Sequence, residues 1–311
     1  MDALSRVLQL ADVQGALDLR CLLAGRFEIG HEPSAIGEAP YHLVLGGQAR
    51  VQVPDGSVVT LREGDLLLLP HGGAHALRDA KNGSGRASPM KVNASGPLPI
   101  RTNTDGVAEL DLLCGRFTYA TGSADIVMAA LPEVLHVSLA EHRDTDALRG
   151  VVGMLRTEIA AMAPGVHAVV TGLSQALFVL AVRAYLARAD IPPSLLLLLA
   201  DSRLSNAVLA MLRHPEEPWT VESLAARAAM SRASFARHFA AKGNTSPREL
   251  LTALRMRTAS GLLSNGKLAI GDIAERVGYQ SEAAFGKVFA RHTGMPPATY
   301  RRASRTAVAP R

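Results

Sequence analysis

The sequence is poor in cysteine, in aromatic residues and in long apolar runs. Only 2 of its 311 residues are cysteine, and aromatic residues make up 4%. Two cysteines cannot build the framework of a disulfide-rich secreted domain, so that class is excluded. The leucine run 195–199 is far shorter than the roughly 20 residues of a membrane span. The first residues lack a basic segment followed by an apolar stretch, which predicts no secretory signal.

One other segment, 165–189, is closer to a membrane span in length and hydropathy. It is interrupted by polar side chains, namely His167, Gln175, Arg183 and Arg188. Charged residues inside a membrane segment are costly, so we expect no membrane contact. These observations together predict a soluble, cytoplasmic protein.

Acidic residues are scarce in one part of the chain. Residues 201–311 contain 17 Lys and Arg against 8 Asp and Glu, whereas residues 1–200 contain 16 against 20. The net charge of +5 therefore combines an acidic part with a strongly basic one. A basic C-terminal third is typical of a module that binds a polyanion, although charge alone also fits RNA or a membrane surface. The length predicts two domains, at about 150 residues each.

The first part of the chain, to about residue 120, has the pattern of a β-domain. Short apolar runs are separated by Gly-Gly, Pro-Asp-Gly and His-Gly-Gly turn signals, and residues alternate around Pro54-Asp55-Gly56 as in a hairpin. A further strand is predicted at 109–119. Between these, 80–108 is rich in Gly, Ser, Pro and Asn, which predicts a long mobile loop.

From about residue 144 the apolar spacing becomes helical. Two adjacent amphipathic helices, separated by Pro164-Gly165, are predicted before residue 190. They could form a packed hairpin or the seam of a homodimer, or they could simply cover the sheet. Ile191-Pro192-Pro193 ends the second helix. The sequence thus predicts a first domain at 1–190 and a linker at 191–203.

The basic C-terminal third contains an internal repeat. Segment 224–247 is similar to segment 273–297, and one extra residue at or beside Gln280 lies in the turn of the second copy. Each copy is predicted to form a short helix, a tight turn and a second helix that begins at a capping serine. The aligned serines and phenylalanines are Ser231 with Ser281, Phe235 with Phe285, and Phe239 with Phe289.

This repeat predicts two helix-turn-helix motifs, at about 221–242 and about 270–292. In such a motif the second helix enters the major groove of DNA. A long helix at 247–265 would set the orientation of the two motifs, so that they read adjacent major-groove segments on one face of double-stranded DNA. The predicted outward-facing residues are Arg232, Ala233, Ser234, Arg237 and His238 in the first copy, and Ser281, Glu282, Ala283, Ala284, Lys287 and Arg291 in the second. Arg and Lys suit guanine edges or phosphates, and Glu can accept from cytosine.

The segment from Leu204 to Arg302 resembles the DNA-binding domain of the AraC/XylS-type transcription regulators. The resemblance rests on WTVESLAARAAMSRASFARHF, LRMRTASGLLS, IGDIAERVGYQSEAAFGKVF and TGMPPATYRR. It implies a sequence-specific regulator of transcription, usually an activator, that binds promoter DNA and contacts RNA polymerase. It also implies recognition helices at 231–240 and 281–290, with Arg237 as the first residue to test. A disordered tail is predicted at 303–311.

The segment GDLLLLPHGGAH at 64–75 resembles the second motif of the cupins, in which the final histidine, here His75, binds a metal in the enzymes. The first cupin motif is not met, because His42 stands without the H-x-H pair and the spaced glutamate. His42, His71 and His75 could still form a three-nitrogen metal or effector pocket, or His75 could be a structural histidine. A regulator with a small organic effector in the cupin cup and a metal-dependent cupin enzyme both stay open. We expect no enzymatic activity and no cofactor.

The two cysteines, Cys21 and Cys114, both lie in the first domain. Arg20 and Arg116 stand nearby in sequence, and cations favour a reactive thiolate, although small buried cysteines are common. The segments MDALSRVLQL, QGALDLRC, VTLREGDLLLLPHGGAHAL, LLCG, MAPGV and LSQALFVLAVR resemble the reactive-chlorine-responsive activators of the AraC family. That resemblance implies that Cys21 and Cys114 are oxidised by hypochlorous acid and joined as a disulfide.

The sequence therefore predicts an α+β chain. Its N-terminal part is a cupin-like β-barrel with a helical hairpin, and its C-terminal part is an all-α domain with two helix-turn-helix motifs.

Overall fold

The chain forms two compact units. The sheet unit comprises Asp12–Tyr119 and Leu131–Ile191, and the helical unit comprises Met1–Ala11, Ala120–Ala130 and Pro192–Arg311. The computed structural model describes residues 3–10, 12–80, 88–96, 98–119, 128–138 and 146–308. The first helix thus belongs to the helical unit, although the sequence predicts a first domain that begins at residue 1.

The sheet unit is built from two antiparallel-rich sheets. The larger sheet has the strand order β11-β6-β3-β10-β1-β9-β8, and the smaller has the order β2-β7-β4-β5. The strands are β1 (Gln14–Leu23), β2 (Glu28–His31), β3 (Glu38–Gly46), β4 (Gln48–Gln52), β5 (Val58–Arg62), β6 (Leu66–Leu68), β7 (His75–Asp79), β8 (Lys91–Asn93), β9 (Ile100–Thr102), β10 (Leu110–Thr118) and β11 (Leu135–Val137).

The core of the sheet unit lies between these sheets. Alternate residues of β1, β4 and β10 point inward, as period-2 patterning requires, and they pack with leucines of β6 and β7. Both cysteines are part of this cluster. The predicted hairpin at Pro54-Asp55-Gly56 is confirmed, since β4 and β5 pair on either side of it. The predicted strand at 109–119 corresponds to β10.

Segment 80–108 contains more structure than its composition predicts. Residues 81–87 and 97 lie outside the described part, but β8 and β9 form within it, and β9 pairs with β1 in parallel. The prediction of a long mobile loop at 80–108 is therefore wrong for the residues of β8 and β9. These residues form strands, although their composition favours a loop, because the open edge of β1 has backbone N–H and C=O groups that need hydrogen-bond partners.

Two helices cover one face of the larger sheet. They are α2 (Asp146–Ala161) and α3 (Val166–Leu186), and they pack against each other as the predicted hairpin does. By length and composition α3 could cross a membrane. In the structure, Val170, Leu177 and Phe178 are buried as α3 packs on β1 and α2, which accounts for the apolar composition of this helix.

The helical unit begins with α1 (Ala3–Leu10), which packs against two later helices, α4 and α5. The remaining helices are α4 (Leu195–Ala200), α5 (Ser205–Arg213), α6 (Val221–Arg227), α7 (Arg232–Gly243), α8 (Pro247–Asn265), α9 (Ile270–Arg276), α10 (Glu282–Thr293) and α11 (Pro297–Val308). Helix α11 continues through positions for which the sequence predicts a disordered tail from residue 303. Of the predicted tail 303–311, residues 309–311 lie outside the described part of the chain.

The α+β class is thus confirmed, with a β-rich cupin-like part followed by a helical part. The helix pairs α6–α7 and α9–α10 fall where the repeat predicts them.

Candidate functional site

The first helix-turn-helix copy consists of α6, a four-residue turn and α7. Thr220 and Ser223 form a capping box that starts α6. The Ser231 side chain accepts a hydrogen bond from the Ser234 N–H at 3.3 Å, which starts α7 as predicted. Phe235 and Phe239 are fully buried on one face of α7. Burial of that face turns the opposite face outward.

The second copy, α9 and α10, repeats this construction. The Ser281 side chain accepts from the Ala284 N–H at 3.2 Å and starts α10. Phe285 and Phe289 are fully buried, and they pack with residues of α8 and α9. The same local signals therefore build both motifs.

The outward face of each second helix carries the predicted reading residues. Arg237 is exposed and, among the described residues, has no hydrogen-bond or ion-pair partner, so its guanidinium is available to DNA. Arg232 is exposed but its Nη1 lies 2.8 Å from Glu222 Oε1. Ala233 is exposed and Ser234 is half-buried. The second-copy positions are all exposed, namely Ser281, Glu282, Ala283, Ala284, Lys287 and Arg291.

His238 departs from that pattern. Its Nε2 lies 2.7 Å from Asp201 Oδ2, in a half-buried position beside the end of α4. The contact satisfies the imidazole within the helical unit and draws it away from the outward face of α7. The structure therefore makes His238 an anchor of α7, whereas the sequence places it among the residues that face a groove.

The sequence reasoning missed a set of contacts, centred on Arg255, that connects the two helix-turn-helix motifs. Arg255, on α8, donates from Nε to the Pro215 carbonyl at 2.6 Å and from Nη2 to the Glu217 carbonyl at 2.8 Å. Its guanidinium also lies 5.6 Å from the centre of the Tyr279 ring. One side chain thus connects the segment before α6 with the turn between α9 and α10. No local pattern signals such a contact, because its partners are main-chain carbonyls about 40 residues away.

Next to Arg255, two segments of the main chain approach each other closely. Gly278 has φ +79°, and a Cβ at this position would lie 2.2 Å from the carbonyl oxygen of Glu216. Only glycine fits both requirements. The two motifs are therefore held together by backbone contact and by Arg255.

The two cysteines meet in the core of the sheet unit. Cys21 lies on β1 and Cys114 on β10, where Cys21 faces Leu112 and Leu19 faces Cys114. The cysteines are thus diagonal neighbours on one face of the antiparallel pair. Both are free thiols and both are buried. Although the cysteines are 93 residues apart in sequence, the pairing of β1 with β10 places them side by side.

The two thiols have opposite shifts in pKa. The pKa of Cys21 is lowered because its sulphur accepts a hydrogen bond from Cys114, and the charge of Arg101 adds to this against the effect of burial. The pKa of Cys114 is raised well above its usual value, since it is the donor in this contact and is buried. Of the two, Cys21 is therefore the thiol that ionises more readily and Cys114 the one that stays protonated.

Arg101, and not the cations nearest in sequence, supplies the positive charge. Arg101 lies on β9 in direct register with Cys21. Arg20 makes a bidentate ion pair with Asp111, with distances of 2.8 and 2.7 Å. Arg20, which is adjacent to Cys21 in β1, points to the opposite face of the sheet. Arg116 lies 3.3 Å from Asp18 and 3.6 Å from Glu38, so its charge is paired with two carboxylates. The expectation for Arg20 and Arg116 is therefore corrected.

Three histidines converge beside the cysteine pair, where the two sheets face each other. His42 on β3 is opposite Cys114, and its Nδ1 lies 3.2 Å from Cys114 Sγ. Its Nε2 lies 2.8 Å from Nε2 of His75. His31 pairs with His75 across β2 and β7, and the two rings stack 4.5 Å apart. His71, predicted as the third member, is exposed in the turn before β7 and does not join the group.

Burial keeps these three imidazoles neutral. It lowers the pKa of His42 well below its ordinary value, and the nearby His75 and His31 lower it further. Burial also lowers the pKa of His75, against a hydrogen bond to the Gly73 carbonyl. The pKa of His31 falls to about 4, through burial and the charges of His75 and Arg101. At neutral pH each ring therefore offers a nitrogen lone pair.

Both units match known families. A family model described as Cupin matches residues 2–187, and one described as Helix-turn-helix domain matches residues 224–303. The RCS-specific HTH-type transcriptional activator RclR of Escherichia coli is 34% identical over 302 residues, which is 97% of each chain. The chain belongs to the AraC-type transcription regulators.

Two further relatives of this AraC-type regulator extend over nearly the full length. An uncharacterised HTH-type transcriptional regulator of Haemophilus influenzae is 32% identical over 97% of this chain and 99% of its own. The HTH-type transcriptional regulator MtrA of Neisseria gonorrhoeae is 32% identical over 97% of this chain and 98% of its own. The prediction of a DNA-binding regulator of transcription is confirmed.

Sequence reasoning overlooked two residues in the core of the sheet unit of this AraC-type regulator. Arg101 lies in the segment predicted as a loop, so its pairing with β1 gave no sequence signal. His31 stands 11 residues before His42 and outside any cupin motif. Only the pairing of β2 with β7 brings His31 to His75.

Proposed function

We propose that this regulator activates transcription when oxidation joins Cys21 to Cys114. Hypochlorous acid or a related small oxidant supplies the oxidising equivalents. The observation that carries the proposal is the contact between a Cys21 thiol of lowered pKa and a Cys114 thiol that can resolve it. The specificity for RCS in the printed name of the E. coli relative supports the choice of oxidant.

The chemistry proceeds in three steps, namely chlorination, hydrolysis and disulfide formation. The Cys21 thiolate takes chlorine from hypochlorous acid and releases hydroxide, and hydrolysis of the sulfenyl chloride gives a sulfenic acid and chloride. The Cys114 thiol then attacks the Cys21 sulphur, so that the disulfide forms and water leaves. In total, two thiols and one hypochlorous acid give one disulfide, one water, one chloride and one proton.

Closing this disulfide requires a movement of strand β1. Diagonal neighbours in an antiparallel pair have Cα atoms about 7–8 Å apart, whereas the Cα atoms of a disulfide are usually about 4.4–6.8 Å apart. Helix α3 packs on the first part of β1, where a Cβ on Gly15 would lie 2.6 Å from the Cβ of Ser174. Gln175 also donates to the Val13 carbonyl at 3.1 Å. A shift of β1 is therefore transmitted to α3.

Helix α3 and its neighbour α2 are the proposed route to a partner copy. Met154 on α2 and Val169 on α3 are large apolar side chains that are 59% and 44% exposed. Exposed apolar residues on adjacent helices favour association of two chains. We infer a homodimer whose packing depends on the position of α3.

The output of the switch is promoter binding by the two helix-turn-helix motifs. Arg237 makes the leading contact with a base edge or a phosphate, and Arg232, Lys287 and Arg291 add positive charge. Activation then requires a contact with RNA polymerase on the promoter. Such a regulator performs no catalysis of its own and works in the cytoplasm, where bacterial promoters are found.

The decisive experiment compares promoter activation with and without hypochlorous acid in the wild type, Cys21→Ser and Cys114→Ser. Wild type is expected to respond and to lose 2 Da in mass, since two hydrogens leave. For Cys21→Ser, we expect neither promoter activation by hypochlorous acid nor the 2 Da loss in mass. Cys114→Ser is expected to accumulate a Cys21 sulfenic acid without a disulfide. An oxidant response that survives in both variants would overturn the proposal, because the oxidant would then be detected at a place other than the two cysteines.

A further inference from the structure

The helical unit has a second concentration of positive charge, outside the two reading helices α7 and α10. It surrounds a hollow of about 400 Å³ between α1, α5 and the end of α6. We propose that this hollow binds a small anion with two adjacent phosphate groups, through the guanidinium groups of Arg6, Arg213 and Arg227. The proposal goes beyond the proposed function, because neither the cysteine switch nor promoter recognition requires such a ligand.

Separate segments of the helical unit form the walls of this hollow. Its polar lining residues are Arg6 from α1, Asn206 and Arg213 from α5, His214 and Trp219 from the connection of α5 with α6, and Arg227 from the end of α6. Among the described residues that line it there is no carboxylate, so its walls do not neutralise their own positive charge. The nearby Glu216 is engaged by His214, with Oε1 3.2 Å from Nδ1. The volume is within the range of about 300–1,000 Å³ that is typical of small-molecule sites.

The three arginines have no partner of opposite charge. Within the part of the chain that the structure describes, none of their guanidinium groups has a hydrogen bond or an ion pair. Elsewhere in the same unit, Arg232 is paired with Glu222, and Arg255 donates to main-chain carbonyls. Like charges around one space repel one another, and a bound anion would replace that repulsion with attraction.

Local structure holds two of these arginines in place. Arg213 and Arg227 lie in the last turns of α5 and α6, where the negative end of the helix dipole favours a cation. The Arg227 guanidinium lies 4.7 Å from the centre of the Trp219 ring. The Trp219 Nε1–H donates to the carbonyl of His214, the residue after Arg213, at 2.8 Å. The indole therefore fixes Arg227 relative to the end of α5, and a site that is already ordered loses less entropy when it binds a ligand.

The chemistry of the three side chains selects the class of ligand. A guanidinium group matches the oxygens of a phosphate with two parallel N–H···O bonds. Two adjacent phosphate groups, at roughly −1.5 each, carry about −3 in charge and so balance three guanidinium groups. A single carboxylate would leave two of the three without a counter-charge. The group that fits occurs as inorganic pyrophosphate and as the diphosphate of a nucleotide.

The second helix-turn-helix motif has the counterpart of Arg227 without the hollow. Arg276 aligns with Arg227 in the internal repeat, and it too is exposed in the last turn of its helix, α9. Leu268 stands at the position of Trp219, and Arg276 does not line the hollow. Helix α1 packs on α4 and α5. An arginine at this position is thus not sufficient for the site, and Arg276 provides a matched control.

The test titrates the full chain with sodium pyrophosphate by isothermal calorimetry, in a buffer without divalent cations. Wild type is expected to bind one pyrophosphate per chain, about 10-fold more tightly than sulfate at equal ionic strength. Arg213→Gln and Arg227→Gln are each expected to lower the affinity by about 10- to 100-fold, because each removes charge-assisted hydrogen bonds. Arg276→Gln removes the same charge from the equivalent place in the second motif and is expected to bind as wild type does.

A second titration, with adenosine diphosphate, distinguishes the two sources of the diphosphate group. Binding tighter than that of pyrophosphate assigns the site to a nucleotide, and equal or weaker binding assigns it to the inorganic anion.

Three results would overturn the proposal. Wild type that binds no pyrophosphate is the first. Equal affinities for sulfate and pyrophosphate, or an equal loss in Arg276→Gln, would indicate an adventitious ion only. A footprinting titration in which Arg213→Gln loses as much promoter affinity as Arg237→Ala would make the hollow part of the DNA-binding surface. None of these measurements uses hypochlorous acid, so failure here is distinct from failure of the redox switch.

Discussion

The substitution Gly278→Ala, which adds one methyl group in the turn of the second motif, tests how the two motifs are held together. In Gly278→Ala the new Cβ meets the Glu216 carbonyl oxygen at 2.2 Å, at a backbone φ of +79°. The left-handed conformation costs alanine about 1–2 kcal/mol, and the clash adds about 1–3 kcal/mol. At about 4 °C per kcal/mol, the melting temperature of the helical unit is expected to fall by roughly 8–20 °C.

Gly294→Ala separates the two contributions to this loss. Gly294 has φ +80°, almost the same as Gly278, but a Cβ there has no neighbour within 4 Å. This variant carries the backbone strain alone, and its melting temperature is expected to fall by about 4–8 °C. Thermal unfolding of the two full-length variants, followed by helix circular dichroism, gives the comparison. Equal losses would refute the inference that Gly278 is held against Glu216.

Three further predictions concern the reading face, the sheet unit and the thiols. Arg237→Ala is expected to lower promoter affinity by about 10- to 100-fold in a footprinting titration, and Arg232→Ala by less, because Arg232 is paired with Glu222. Asp65→Asn is expected to destabilise the protein at pH 7. Burial raises the pKa of this carboxylate, but hydrogen bonds from His136 and the Arg62 N–H lower it overall, so denaturant midpoints of variant and wild type should converge as the pH falls below about 4. Cys21 and Cys114 are expected to react with hypochlorous acid but not with a bulky aromatic disulfide reagent in the native state, since they are 0% and 8% exposed. Equal native and denatured labelling rates would contradict that expectation.

The parts of the fold that the sequence predicts are those written in local patterns. Ser231 and Ser281 each begin a helix through one hydrogen bond three residues away, so a serine before an apolar-periodic segment is sufficient evidence. Hairpin and repeat signals are local in the same way. Once the first motif is found, the second can be recognised, because the same pattern of residues occurs again about 50 residues later.

The parts that the sequence does not predict depend on register between distant strands. Arg101 reaches Cys21 only because β9 pairs with β1 in parallel, and the composition of its segment favours a loop. His31 replaces the expected His71 because β2 pairs with β7. Whether the outward face of α7 includes His238 depends on Asp201, which lies 37 residues earlier. Neither the composition of a segment nor the spacing of its residues predicts these contacts between distant parts of the chain.

The position of α1 has a consequence for synthesis on the ribosome. This helix leaves the ribosome before its packing partners α4 and α5, which begin about 185 residues later. At roughly 5–20 residues per second, the delay is about 10–40 s, during which the sheet unit can already fold. The helical unit therefore cannot be completed before the sheet unit has been made. A fragment that begins at residue 192 would contain both reading motifs and still lack a packed helix of its own unit.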